Sequence, residues 1–116
     1  MGALVESLAP EDAKLVTLAR ASRVRVNALQ GAAVRDGDGR TYTAASIDLP
    51  SLQLSALQLA IAMAVSSGAP DVVAAAIVGD RPAHQLDAAG VSAVRDVSES
   101  APILLAEADG TVVGTA

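Results

Sequence analysis

The sequence predicts an α/β protein, a three-layer α-β-α sandwich around a mixed sheet of about five strands. Three observations predict it. Residues 49–68, LPSLQLSALQLAIAMAVSSG, form the longest apolar stretch and read as a buried central helix. Two later apolar runs, VVAAAIV at 72–78 and ILLA at 103–106, read as strands buried on both faces. Asp36-Gly37-Asp38-Gly39 marks a hairpin, since Asp-Gly supplies the positive φ such a turn needs. The chain is expected to form one domain over 1–116.

The elements follow in the order α-β-β-α-β-α-β. Pro10 suits the first turn of a helix, and Glu11 and Asp12 favour its positive end. Leu15, Val16, Leu18, Ala19 and Ser22 give that helix an apolar face, and it should end near Ser22. Val24, Val26, Leu29 and the run 31–34 then read as a strand, which turns at 36–39 and returns from Thr41 to Ile47. DGDG lacks the further ligands and terminal Glu of an EF-hand loop, so it is a turn.

In the central stretch Leu57, Leu59, Ile61, Met63 and Val65 alternate, as in a strand. The residues between them include Ala60, Ala62 and Ala64, however, and the run is too long for an ordinary strand. A helix over 51–67 is predicted, capped by Ser51 and stopped by Gly68 and Pro70. It is apolar nearly all round, which predicts cover on several sides. Its apolar run falls short of the ~20 residues that span a bilayer. A short helix over 87–96 follows the second buried run, and Thr111, Val112 and Val113 extend the sheet or form an edge strand. The last three residues should fray.

Composition narrows the function. Hydrophobic residues make up 52% but Tyr42 is the sole aromatic, so Ala, Val and Leu build the core and little can stack on a nucleobase. Net charge is -5 with Lys and Arg scattered, which argues against nucleic acid or an anionic membrane as partner. There is no cysteine, which excludes disulfides and thiolate metal sites. The start, MGALVESLAPED, has no signal-peptide pattern, and Glu6 stands where a myristoylation motif needs Ser or Thr. A cytoplasmic protein is expected. No nucleophile motif or P-loop occurs, and one histidine, His84, leaves no obvious triad. A lone histidine in a polar loop is a surface residue, not a metal ligand. The carboxylate pairs Glu11/Asp12 and Asp36/Asp38 lack the apolar flanks that tune an acid-base pair.

Three stretches carry a family resemblance. Gly31-Ala32-Ala33-Val34 with Asp38-Gly39-Arg40-Thr41-Tyr42-Thr43 is similar to V-G-A-A-L…dG-x-i-y-x-G. Ser55-Ala56-Leu57-Gln58-Leu59-Ala60-Ile61 with Ala64-Val65-Ser66-Ser67-Gly68 is similar to C-A-E-R-x-A-I…A-V-S-x-G. Pro102-Ile103-Leu104-Leu105 with Asp109-Gly110 is similar to P-V-L-L…dG. In this order they resemble the small zinc-dependent cytidine deaminases, across nearly the whole chain. That family holds zinc with a Cys or His opening the central helix and two Cys in P-C-x-x-C opening the next. A Glu two residues after the first ligand moves protons as zinc-bound hydroxide attacks the base.

The resemblance places Ser55 at the first ligand and Leu57 at the Glu. The second motif falls on Leu86-Asp87-Ala88-Ala89-Gly90, so Asp87 and Gly90 take the cysteine positions. Asp87 can coordinate a metal in principle, but no second good ligand stands beside it. The family's ribose-gripping N-V-E-N resembles Ser46-Ile47-Asp48-Leu49, which keeps polar groups at Ser46 and Asp48. Read without the family, Asp48 is a strand-end residue that caps the next turn. The expectation is a catalytically inactive deaminase-like protein with no cofactor and no metal, with Leu54 and Leu57 filling the former metal pocket. It acts as a homo-oligomer, dimer or tetramer, or on another protein. The alternatives are a nucleoside- or base-binding module anchored by Ser46 and Asp48, and an enzyme with different chemistry.

Overall fold

The computed structural model describes residues 8–80 and 87–116. Helix α1 (Pro10–Val26) starts on Pro10 without a side-chain cap, carries Glu11 and Asp12 in its first turn and ends on Arg23 and Arg25. Asn27 closes it at φ 53°, and the N–H groups of Asn27 and Ala28 return to the carbonyls of Val24 and Arg23. This left-handed cap sets the end of the helix, beyond the predicted stop at Ser22. Val24 and Val26, predicted to begin a strand, occupy its last turn and are exposed. Valine costs a helix little, and the cap outweighs it.

Strands β1 (Gln30–Arg35) and β2 (Thr41–Ala45) form the predicted hairpin, with Gly39 at φ 87°. Buried Asp36 organises the turn. One of its oxygens accepts from the N–H of Asp38 and of Arg40, each at 2.9 Å, and the other accepts from the Tyr42 hydroxyl at 2.9 Å.

Between this hairpin and the central helix lies a two-stranded ribbon, β3 (Ile47–Leu49) and β4 (Leu52–Leu54), turning at Pro50-Ser51. Helix α2 (Ala56–Ser66) begins only after it. The predicted start at Ser51 is therefore corrected, and Ser55 is the cap. The Gln58 N–H donates to Ser55 Oγ at 3.0 Å, and the Ser55 N–H donates to Gln58 Oε1 at 3.0 Å. This reciprocal box satisfies two donors at once, which Ser51 cannot do inside a turn. Nor is α2 covered all round. Ala56, Leu57, Ala60, Ile61 and Ala64 are buried, while Ala62, Met63, Val65 and Ser66 are exposed.

Strand β5 (Ala74–Gly79) is buried throughout, as its unbroken apolar run predicts. Helix α3 (Ala88–Val97) and strands β6 (Ile103–Glu107) and β7 (Val112–Thr115) complete the chain. The main sheet runs β2-β1-β5-β6-β7, parallel only between β5 and β6. The end of the chain does not fray. The Ala116 N–H donates to the Ile103 carbonyl at 2.9 Å, and Arg95 donates to the Ala116 carbonyl at 3.1 Å.

Helix α1 packs on one face of the sheet, with Leu15, Val16 and Ala19 against Ala33, Ala76 and Leu104. Helices α2 and α3 cover the other, with Leu57, Ile61 and Val94 against Val34, Ile77 and Ile103. Small residues bring these layers close. A Cβ on Gly31 would overlap the Ala19 carbonyl and lie 2.8 Å from the Arg23 nitrogen, so α1 rests directly on β1. Among the described residues no helix is long and apolar enough to cross a membrane.

Candidate functional site

Two regions hold the residues singled out by sequence, and they differ in character. One is the buried junction between the N-terminal ends of α2 and α3. The other is an open groove beside the β3–β4 ribbon.

The junction contains Leu57, Asp87 and Gly90. Leu57 is 0% exposed. Gly90 faces it so closely that a Cβ there would stand 2.8 Å from the Leu57 Cβ and would also overlap the Asp87 carboxylate. Asp87 caps α3, with Oδ1 accepting from the Gly90 N–H at 3.0 Å. Its Oδ2 is buried without a partner among the described residues. Helical dipoles at this end favour the negative charge and offset part of the cost of that unpaired oxygen. Ser55, two residues before Leu57, has committed its oxygen to the α2 cap.

These residues do not fit zinc. A zinc site needs three or four nitrogen, sulfur or carboxylate ligands arranged tetrahedrally. The junction offers one carboxylate, half engaged, beside a fully buried leucine, and the Ser55 hydroxyl is engaged as the α2 cap. Among the described residues no three of His, Cys, Asp or Glu come together as a metal would require. His84 and Leu86 lie outside the described residues.

The groove runs between the α1–β1 connection and the ribbon. Its walls are Val26, Asn27, Ala28 and Leu29 on one side and residues 45–49 on the other, with Gln53, Leu54 and Ser55 at its end. Its volume is about 1100 Å³. Both predicted ribose contacts line it, but they differ in availability. The Ser46 hydroxyl accepts from the Gln30 N–H at 3.2 Å and donates to the Gln30 carbonyl at 3.4 Å, so it closes the end of β1. Asp48 is exposed in the middle of β3, opposite Gln53. It caps no turn, contrary to the prediction, because the turn at Pro50-Ser51 closes through the flanking Leu49–Leu52 pair. Leu54, predicted to fill the former metal pocket, lines this groove instead.

Sequence reasoning placed Ser46 and Asp48 at a pocket but missed the ribbon that forms its wall. Its signal was available as Ile47, Leu49, Leu52 and Leu54, an alternation broken by Pro-Ser, which is the pattern of a hairpin. The exposed leucines Leu29 (78%) and Leu49 (53%) carried no such signal, since exposure of single apolar residues is ordinary.

A family model described as cytidine deaminase-like matches residues 8–110. Among solved structures, a cytidine deaminase from Burkholderia pseudomallei superposes with a TM-score of 0.76 at 22% identity, over 86% of this chain and 87% of that one. A cytidine deaminase from Mycobacterium leprae superposes with a TM-score of 0.63 at 20% identity, over 88% of this chain and 90% of that one. No curated protein matches the sequence.

Proposed function

The chain belongs to the cytidine deaminase-like family, and we propose that within it this protein is a catalytically inactive member that works through protein contacts. One observation carries the reading. Leu57 occupies the position that the resemblance gives to the proton-moving Glu, and it is fully buried against Gly90 and Asp87. Proton transfer needs a titratable group within hydrogen-bond reach of the reacting atoms, and a leucine supplies none.

The contact half of the proposal is supported by α2. Its eleven residues include no charged side chain, yet Met63 and Val65 on its outer face are 39% and 55% exposed. Copies of a protein with net charge -5 repel one another, and an uncharged face is where two copies meet at least cost. Self-association through α2, as a dimer or tetramer, is the assembly this favours.

Three measurements test the halves separately. Elemental analysis of the purified chain should find no stoichiometric zinc, and incubation with cytidine should release no ammonia; either signal sinks the inactive reading. Light scattering should give a mass above that of one chain, reduced to one chain by Met63→Glu with Val65→Glu. A monomer at high concentration removes the assembly. Nucleoside binding in the groove is the second reading, favoured by the free carboxylate of Asp48, and a thermal shift with cytidine lost in Asp48→Ala would support it.

A further inference from the structure

We propose that the groove beside the β3–β4 ribbon binds an extended apolar peptide segment carrying a lysine or arginine, by adding it as a strand to the edge of β3. This gives the interaction reading a partner class and rests on that reading.

Backbone geometry supplies the first argument. The turn at Pro50-Ser51 has two residues and closes on the Leu49–Leu52 pair. Antiparallel pairs alternate between those that exchange hydrogen bonds and those that do not. A two-residue loop is closed by a bonded pair, so with this register Leu49–Leu52 and Ile47–Leu54 fall on bonded positions and Asp48–Gln53 on an unbonded one. The N–H and C=O of Asp48 therefore turn away from β4. Among the described residues no third strand joins the ribbon on that edge. A free donor and acceptor on an exposed strand are what an added strand uses.

The second argument is the lining. Val26, Ala28, Leu29, Ile47, Leu49 and Leu54 make it aliphatic, with no aromatic ring for a nucleobase. Among the described residues Asp48 is its only charged one. An exposed two-stranded ribbon is only marginally stable alone, and this one leaves Leu49 and Leu52 exposed, so a third strand gains both backbone bonds and apolar cover. Charge then selects the occupant. The lone carboxylate complements a cationic residue, and this chain's own apolar stretch with a basic residue, Val24-Arg25-Val26, is held in α1 and not free to add as a strand to another copy.

The test is fluorescence polarisation with the full chain and a labelled, end-blocked Leu-Val-Lys-Val-Leu peptide, titrated at low salt. Saturable binding is expected. The Glu-for-Lys peptide should bind about two- to fivefold more weakly, the range of an exposed ion pair, and Asp48→Asn should erase that preference. A peptide N-methylated at its central amides should not bind. The proposal is overturned if the Lys peptide fails to saturate, if the Glu or N-methylated peptide binds as well, if cytidine displaces the probe, or if the groove opens to the probe only on dissociation of a self-associated form. The zinc and ammonia assays are untouched by any of these results, so failure of the inactive reading stays distinguishable.

Discussion

Replacing Leu57 by Glu puts at the junction the side chain that the resemblance implies for that position, and the surroundings predict that the protein rejects it. The leucine is fully buried, so its loss alone removes roughly 1.5–3 kcal/mol of apolar burial. The incoming carboxylate meets a second carboxylate, Asp87, whose Oδ2 is already unpartnered. Leaving a buried charge uncompensated costs about 3–5 kcal/mol. Even with partial relaxation, about 4 kcal/mol is expected, a large share of the ~5–15 kcal/mol that a domain has. At roughly 4 °C per kcal/mol for a chain of this size, the melting temperature should fall by about 15 °C. Circular dichroism melts of wild type, Leu57→Glu and the uncharged Leu57→Gln measure it, with Gln intermediate. If Leu57→Glu melts within about 3 °C of wild type, or binds zinc stoichiometrically, the junction is not the sealed plug described above.

Three further outcomes are expected. Ser55→Ala removes half of the α2 capping box and should cost ~1 kcal/mol by urea unfolding, with no effect if the box is ornamental. Gly31→Ala forces α1 off β1 and should cost about 1–3 kcal/mol, and an unchanged urea midpoint would refute the close approach. Acid sensitivity should centre on Asp36. Burial pushes its carboxyl up, but the Tyr42 hydroxyl and the Arg40 and Asp38 amides pull it down further, so it sits below the usual carboxylate value. A depressed folded value stabilises the fold above the unfolded value of about 3.9, and that stability is lost as pH falls through the folded one. Urea midpoints from pH 6 to 3 should therefore fall, and fall less in Tyr42→Phe, where one donor is gone and the folded and unfolded values lie closer. Equal acid losses in the two proteins would remove Asp36 from the explanation.

The layers and the sheet were legible in the sequence because buried β5 and β6 are unbroken apolar runs between turn signals, and Asp36-Gly39 can hardly be anything but a turn. Boundaries were less so, for identifiable reasons. Ser51 and Ser55 are equally good caps by type, and only Gln58, three residues after Ser55, distinguishes them. The ribbon was absorbed into the helix because Leu52 and Leu54 continue its apolar count. Asn27 carried the end of α1, but two β-branched valines nearby pointed to a strand. At the site, the meeting of Leu57 with Asp87 and Gly90 followed from the family resemblance and not from spacing, since the two helices are separated in the chain by β5 and meet only because both pack on the same face of the sheet.

The interlock at the junction couples the three positions to one another. A cysteine at Gly90 collides with Leu57 and Asp87, while a Glu at Leu57 faces Asp87 before any ion is there to neutralise it. Either substitution alone thus gives an overpacked or doubly charged junction, so these three positions can change only in concert.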